Sequence, residues 1–62
     1  MEINELEALR DSREVCVFDF PRGGCRGTVV QVGFPADPNA VHIRSVDGSP
    51  YRFDARNVKR IA

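Results

Sequence analysis

Residues 15–32 read VCVFDFPRGGCRGTVVQV, and the fold turns on whether this stretch is helical or extended. Val15, Cys16, Val17, Phe18, Asp19 and Phe20 are mostly β-branched or aromatic and alternate with period two, the rhythm of a strand on a half-buried surface. Pro21, Gly23 and Gly24 end that strand. Thr28, Val29, Val30, Gln31, Val32, Gly33 and Phe34 resume the extended pattern, so a second strand is expected over 28–34.

Toward the C-terminus, PADPN at 35–39 carries two prolines that cannot donate to a ladder and predicts a loop. VHIRSV at 41–46 and YRF at 51–53 flank Asp47 and Gly48, a pair favoured where a hairpin turn needs positive φ. Alternation sets Val41 and Ile43 on one face with His42 and Arg44 on the other, and Tyr51 and Phe53 opposite Arg52. DARNVKRI at 54–61 is too short for a full helix. It suits one tight turn and a last strand burying Val58 and Ile61.

Toward the N-terminus, Ile3, Leu6 and Leu9 recur every third residue with Glu2, Glu5 and Glu7 between them, which predicts a short amphipathic helix over 2–10. Its acids suit the positive end of the helix dipole. So short a helix is marginal alone in water, and its apolar stripe must lie on the rest of the domain or on a second copy. The expected fold is mostly β: a small, strongly bent five-stranded barrel over 13–62, preceded by an acidic helical segment over 1–12.

A chain of 62 residues makes one domain and buries only about 60% of the surface its unfolded form exposes. At 42% hydrophobic and 29% charged residues it has a globular rather than a disordered composition. No apolar run approaches the roughly 18 residues of a membrane helix, and the opening MEINELE is acidic where a secretory leader is basic. A cytoplasmic location with no membrane partner is therefore expected, with Cys16 and Cys25 as reduced thiols. Net charge is zero but segregated: residues 1–20 sum to −4 and residues 21–62 to +4. That asymmetry fits either a basic surface for an anionic partner or two faces neutralising each other.

VCVFDFPRGGCRGTVVQV, with NVKRI at 57–61, resembles the strand, glycine loop, strand and closing strand of KOW-type SH3-like barrels. Such barrels occur in NusG-like transcription factors, ribosomal proteins and small bacterial and phage proteins. The resemblance implies an SH3-like barrel over about residues 13–62. Pro21, Arg22 and Cys25 stand where the family more usually has a Gly-Pro-Phe-Lys-Gly type of loop.

From the residues themselves, Arg22 and Arg26 in the glycine segment form a candidate phosphate site. Backbone N–H groups freed by Gly23, Gly24 and Gly27 would add to two guanidinium forks. Arg44 and Arg52 would widen the contact, and Tyr51 or Phe18 would supply stacking for RNA or DNA. The acids Glu2, Glu5 and Glu7 are a competing set of anions that would mask these arginines within the fold. The alternative function is a protein-interaction or homo-oligomerisation module. It would use Ile3, Leu6, Leu9, Phe18 and Phe20, because Cys16, Phe18 and Phe20 make a second apolar strand face that a helix or a homodimer partner must cover. Cys16, Cys25 and His42 lack the paired spacing of a metal site, and His42 has no evident orienting carboxylate. A non-enzymatic binding module without metal or cofactor is therefore expected.

Overall fold

The change of rhythm near residue 14 is the boundary between one helix and one sheet. The computed structural model describes residues 1–20 and 23–61, with every side chain except that of Phe20. Helix α1 spans Ile3–Ser12 and buries Leu6 and Leu9. It stops at Arg13, whose backbone turns left-handed (φ 56°) and whose N–H reaches the carbonyls of Leu9 at 3.1 Å and Arg10 at 3.3 Å.

Five strands follow: β1 (Cys16–Phe20), β2 (Gly23–Phe34), β3 (Asp37–Ser45), β4 (Pro50–Asp54) and β5 (Lys59–Arg60). They form one antiparallel sheet in the order β4-β3-β2-β1-β5. Strand β2 is its spine. Its first half pairs with β1, from Phe20 opposite Gly23 to Cys16 opposite Gly27, and its second half pairs with β3, beginning with Gly27 opposite Ser45. Gly27 is thus flanked by strands on both sides. A Cβ there would lie 2.3 Å from the Arg44 carbonyl oxygen and 2.9 Å from the Ser45 Cα, so only glycine permits this approach.

Three local expectations are corrected. The glycine segment is strand rather than loop, because Gly23, Gly24 and Gly27 sit opposite Phe20, Asp19 and Cys16. Their backbone groups belong to the ladder and do not form an anion cradle. The expected loop over 35–39 shrinks to a two-residue turn, Pro35 and Ala36, with β3 starting at Asp37. Pro38 falls where the register slips between Val32 and Phe34, so its missing N–H leaves no ladder bond unmade. Ile61 is 61% exposed, whereas Val58 is fully buried. Positions three apart in an extended segment face opposite ways, so the two cannot both point inward.

The β3–β4 hairpin forms as expected. The Ser45 N–H donates to the Ser49 carbonyl and the Gly48 N–H to the Ser45 carbonyl, each at 2.9 Å, with Gly48 at φ +90°. Val46 belongs to this turn rather than to the strand.

The core joins Leu6 and Leu9 of α1 to Cys16, Phe18, Val29, Val41, Ile43, Ala55 and Val58. Burial of each large apolar side chain here contributes roughly 1.5–3 kcal/mol. The Cys16/Phe18 face of β1, expected to be covered by the helix or by a homodimer partner, packs in one core with Leu6 and Leu9 of the helix, and Val15 is on the outside at 50% exposure. The helix and the sheet share one core.

Strands β4 and β5 lie at opposite edges of the sheet, yet only a 3-10 helix (Ala55–Asn57) and Val58 connect them. A link that short reaches at most about 17 Å, so the sheet must curl to bring its edges toward each other. It stays open: no β4–β5 ladder is present among the described residues. No helix of the described residues is long and apolar enough to cross a membrane.

Candidate nucleic-acid interface

Cross-strand partners share a face of a sheet, so register decides which arginines meet. Arg26 on β2 is opposite Val17, and two positions on, Thr28 is opposite Arg44 of β3. Arg44 is in turn opposite Pro50 of β4, and two positions on, Arg52 is opposite His42. Arg26, Arg44 and Arg52 therefore step diagonally across three strands on the side away from Val41 and Ile43, and all three are exposed. Diagonal neighbours in such a ladder are about 7–8 Å apart.

None of these three arginines has a carboxylate within 4.0 Å among the described residues. The cations that do are elsewhere. Arg56 is held by Asp54 through two bonds of 3.0 Å, Arg60 by Glu14 at 2.9 Å, and Arg10 by Asp11 at 3.1 Å with Glu7 at 4.0 Å. The Arg56 guanidinium, then the Arg56 backbone N–H, holds the Asp54 carboxyl down at about 2. Among the described residues no ion pair joins Glu2, Glu5 or Glu7 to Arg26, Arg44 or Arg52, so the helix does not neutralise this face by direct pairing. One acid does share the outer face: Asp19 lies two positions beyond Val17 and opposite Lys59 of β5.

At the β4 end, the Arg52 guanidinium carbon sits 3.9 Å from the centre of the Phe34 ring, a cation–π contact. Phe34, His42, Pro50, Tyr51 and Arg52 line a concavity of about 310 Å³. His42 Nε2 is buried there without a hydrogen-bond partner among the described residues. Tyr51 is opposite Ile43, at the sheet edge, and remains 38% exposed, with its ring stacked on Phe53 at 6.3 Å and 16°. It lies on the core side of β4, opposite in face to Arg52, and meets the same concavity from the sheet edge.

The other expected site residues are placed differently. Arg22 lies outside the described residues, as does the side chain of Phe20. Phe18 and Leu6 are fully buried and Leu9 is 6% exposed, while Ile3 is half-buried against the same core, so these side chains hold the domain together and Phe18 offers no surface for stacking. Cys16 is buried, and burial, with Asp47 nearby, pushes the Cys25 thiol up, away from thiolate character at neutral pH. Among the described residues no group of three His, Cys, Asp or Glu side chains could hold a metal ion. Sequence reasoning placed neither Phe34, named only for the rival interaction surface, nor Thr28 in this interface. Phe34 meets Arg52 only because the register slips on both sides of Val32, and Thr28 matters only as the cross-strand neighbour of Arg44.

Comparisons with protein-family models, with curated proteins and with solved structures return no match.

Proposed function

We propose that this chain is a non-enzymatic module that binds single-stranded RNA or DNA across the outer face of β2, β3 and β4, on a sheet that curls as a small SH3-like barrel of the KOW type. One observation carries the reading: Arg26, Arg44 and Arg52 share a face and have no carboxylate partners, while Arg10, Arg56 and Arg60 are paired elsewhere. Their diagonal spacing is comparable with that of successive phosphates along an extended strand. Phosphates would take the guanidinium forks, and bases would stack on the Arg52 guanidinium and, where the strand passes the sheet edge, on Tyr51. The barrel reading rests on the short link between the two edge strands. The rival reading, a protein-interaction or homodimer surface built on Leu6, Leu9 and Phe18, has those side chains already committed to the core.

The test is fluorescence anisotropy of labelled oligothymidylate and oligouridylate, titrated with the protein across a salt series. Three phosphate contacts predict a slope of log K against log salt near about −2. The triple variant R26A/R44A/R52A should abolish it. No binding at low salt, or binding indifferent to the triple variant, overturns the function.

A further inference from the structure

Arg13 occupies a backbone conformation that favours glycine. It closes α1 in the left-handed region, φ 56° and ψ 30°, and is the one residue other than glycine with positive φ among those described. Its side chain has no carboxylate partner and no hydrogen bond among the described residues. It lines a concavity of about 340 Å³ with Arg10, Thr28, Val29 and Val30. The Thr28 hydroxyl has no partner among the described residues either, and Thr28 is the cross-strand neighbour of Arg44. Thr28 thus shares a concavity with Arg13 and a cross-strand pairing with Arg44. Arg10, in the same concavity, is engaged by Asp11 and Glu7.

We propose that Arg13, Thr28 and Arg44 form a subsite for one backbone phosphate of the bound strand. This rests on the nucleic-acid reading above and extends its footprint from the sheet to the end of the helix. Two guanidinium groups with a hydroxyl between them suit a phosphodiester: the charge is met from both sides and the hydroxyl donates to an oxygen. Glycine at position 13 would close the helix with less backbone strain, so an arginine there is explained by what its side chain binds.

The experiment compares R13G, R13K and T28V with the unaltered chain, by anisotropy of labelled oligothymidylate over a salt series and by thermal unfolding. For R13G the midpoint should rise by roughly 4 °C as left-handed strain is relieved. Its affinity should fall about threefold with little change in salt slope, since Arg44 still meets the same phosphate. The double variant R13G/R44A, which leaves that phosphate unmet, should show a slope shallower by about 0.7. For R13K the affinity should be retained with no rise in midpoint. For T28V the affinity should fall with the slope unchanged, since a hydroxyl carries no charge. Inorganic phosphate at matched ionic strength should not displace the strand; displacement would mean that the subsite takes a free anion and would overturn the proposal. An affinity unchanged in R13G also overturns it. If R26A/R44A weakens binding while R13G does not, the subsite alone falls. If the unaltered chain binds no oligonucleotide, the broader function falls with it.

Discussion

Arginine is used differently on two sides of this small domain. Around α1, the 3-10 helix and β5, each of Arg10, Arg56 and Arg60 is matched to a carboxylate, and the Arg60–Glu14 bridge ties β5 to the segment just after the helix. Across β2, β3 and β4, Arg26, Arg44 and Arg52 stand on one face with no acid within reach among the described residues. A formal charge of zero conceals this difference. What separates a structural cation from one available to a partner is the placement of the carboxylates.

The most severe way to break the contrast is to remove the core that both sides share. Leu6→Ala should destabilise the domain by about 2–5 kcal/mol, because a fully buried leucine leaves a cavity between helix and sheet. Urea unfolding should still show one transition; a sheet that unfolds separately would show that the helix is an appendage. Gly27→Ala attacks the contrast at the point that sets Arg26 beside Arg44. Its new methyl would meet backbone atoms that cannot rotate away, so a loss of about 2–3 kcal/mol is expected in the same measurement.

Charge-matched single variants sharpen the contrast without touching the core. Arg44→Ala and Arg56→Ala each delete one positive charge. Oligothymidylate affinity should fall roughly threefold to tenfold for the first and change little for the second. Equal losses would mean that only net charge matters. The paired side has its own signature in acid. Asp54 sits at about 2, below the usual carboxylate range, so its contribution to stability is complete above about pH 4 and is lost as pH falls through about 2. Carboxyl NMR titration should show this, and Arg56→Ala should move the midpoint up toward 4. The smallest effect is expected for Glu14→Gln, which breaks an exposed bridge and should cost about 0.5 kcal/mol, less at high salt.

Local patterns were readable in the sequence. The three-residue spacing of Leu6 and Leu9 located the helix, alternation separated Val41 and Ile43 from His42 and Arg44, and Asp47 with Gly48 marked the hairpin. The residue types of the proposed interface were legible too, since Arg26, Arg44 and Arg52 stand out beside the apolar positions. What was not legible depends on partners distant in sequence. Glycine carries no side chain to show a periodicity, so the first third of β2 becomes a strand only through β1. Both faces of β1 are apolar, so alternation alone could not say that Cys16 and Phe18 point inward and Val15 outward. The bulge between Val29 and Gln31 changes the phase midway along β2, and this is why Gln31 rather than Val30 pairs with His42. The position of Arg13 beside β2 required knowing that the helix runs on to Ser12 and where its end meets the sheet.

Leu6 and Val58 occupy the same interior although most of the chain separates them. Neither a helix-first nor a hairpin-first intermediate can seal that interior, because each lacks a wall that only the other end of the polypeptide provides. The hairpins between neighbouring strands close short loops, whereas sealing the core closes a long one, so the ladders can form before the interior is complete. A chain cleaved in the β3–β4 turn should yield two fragments that are unstructured apart and regain the sheet when mixed.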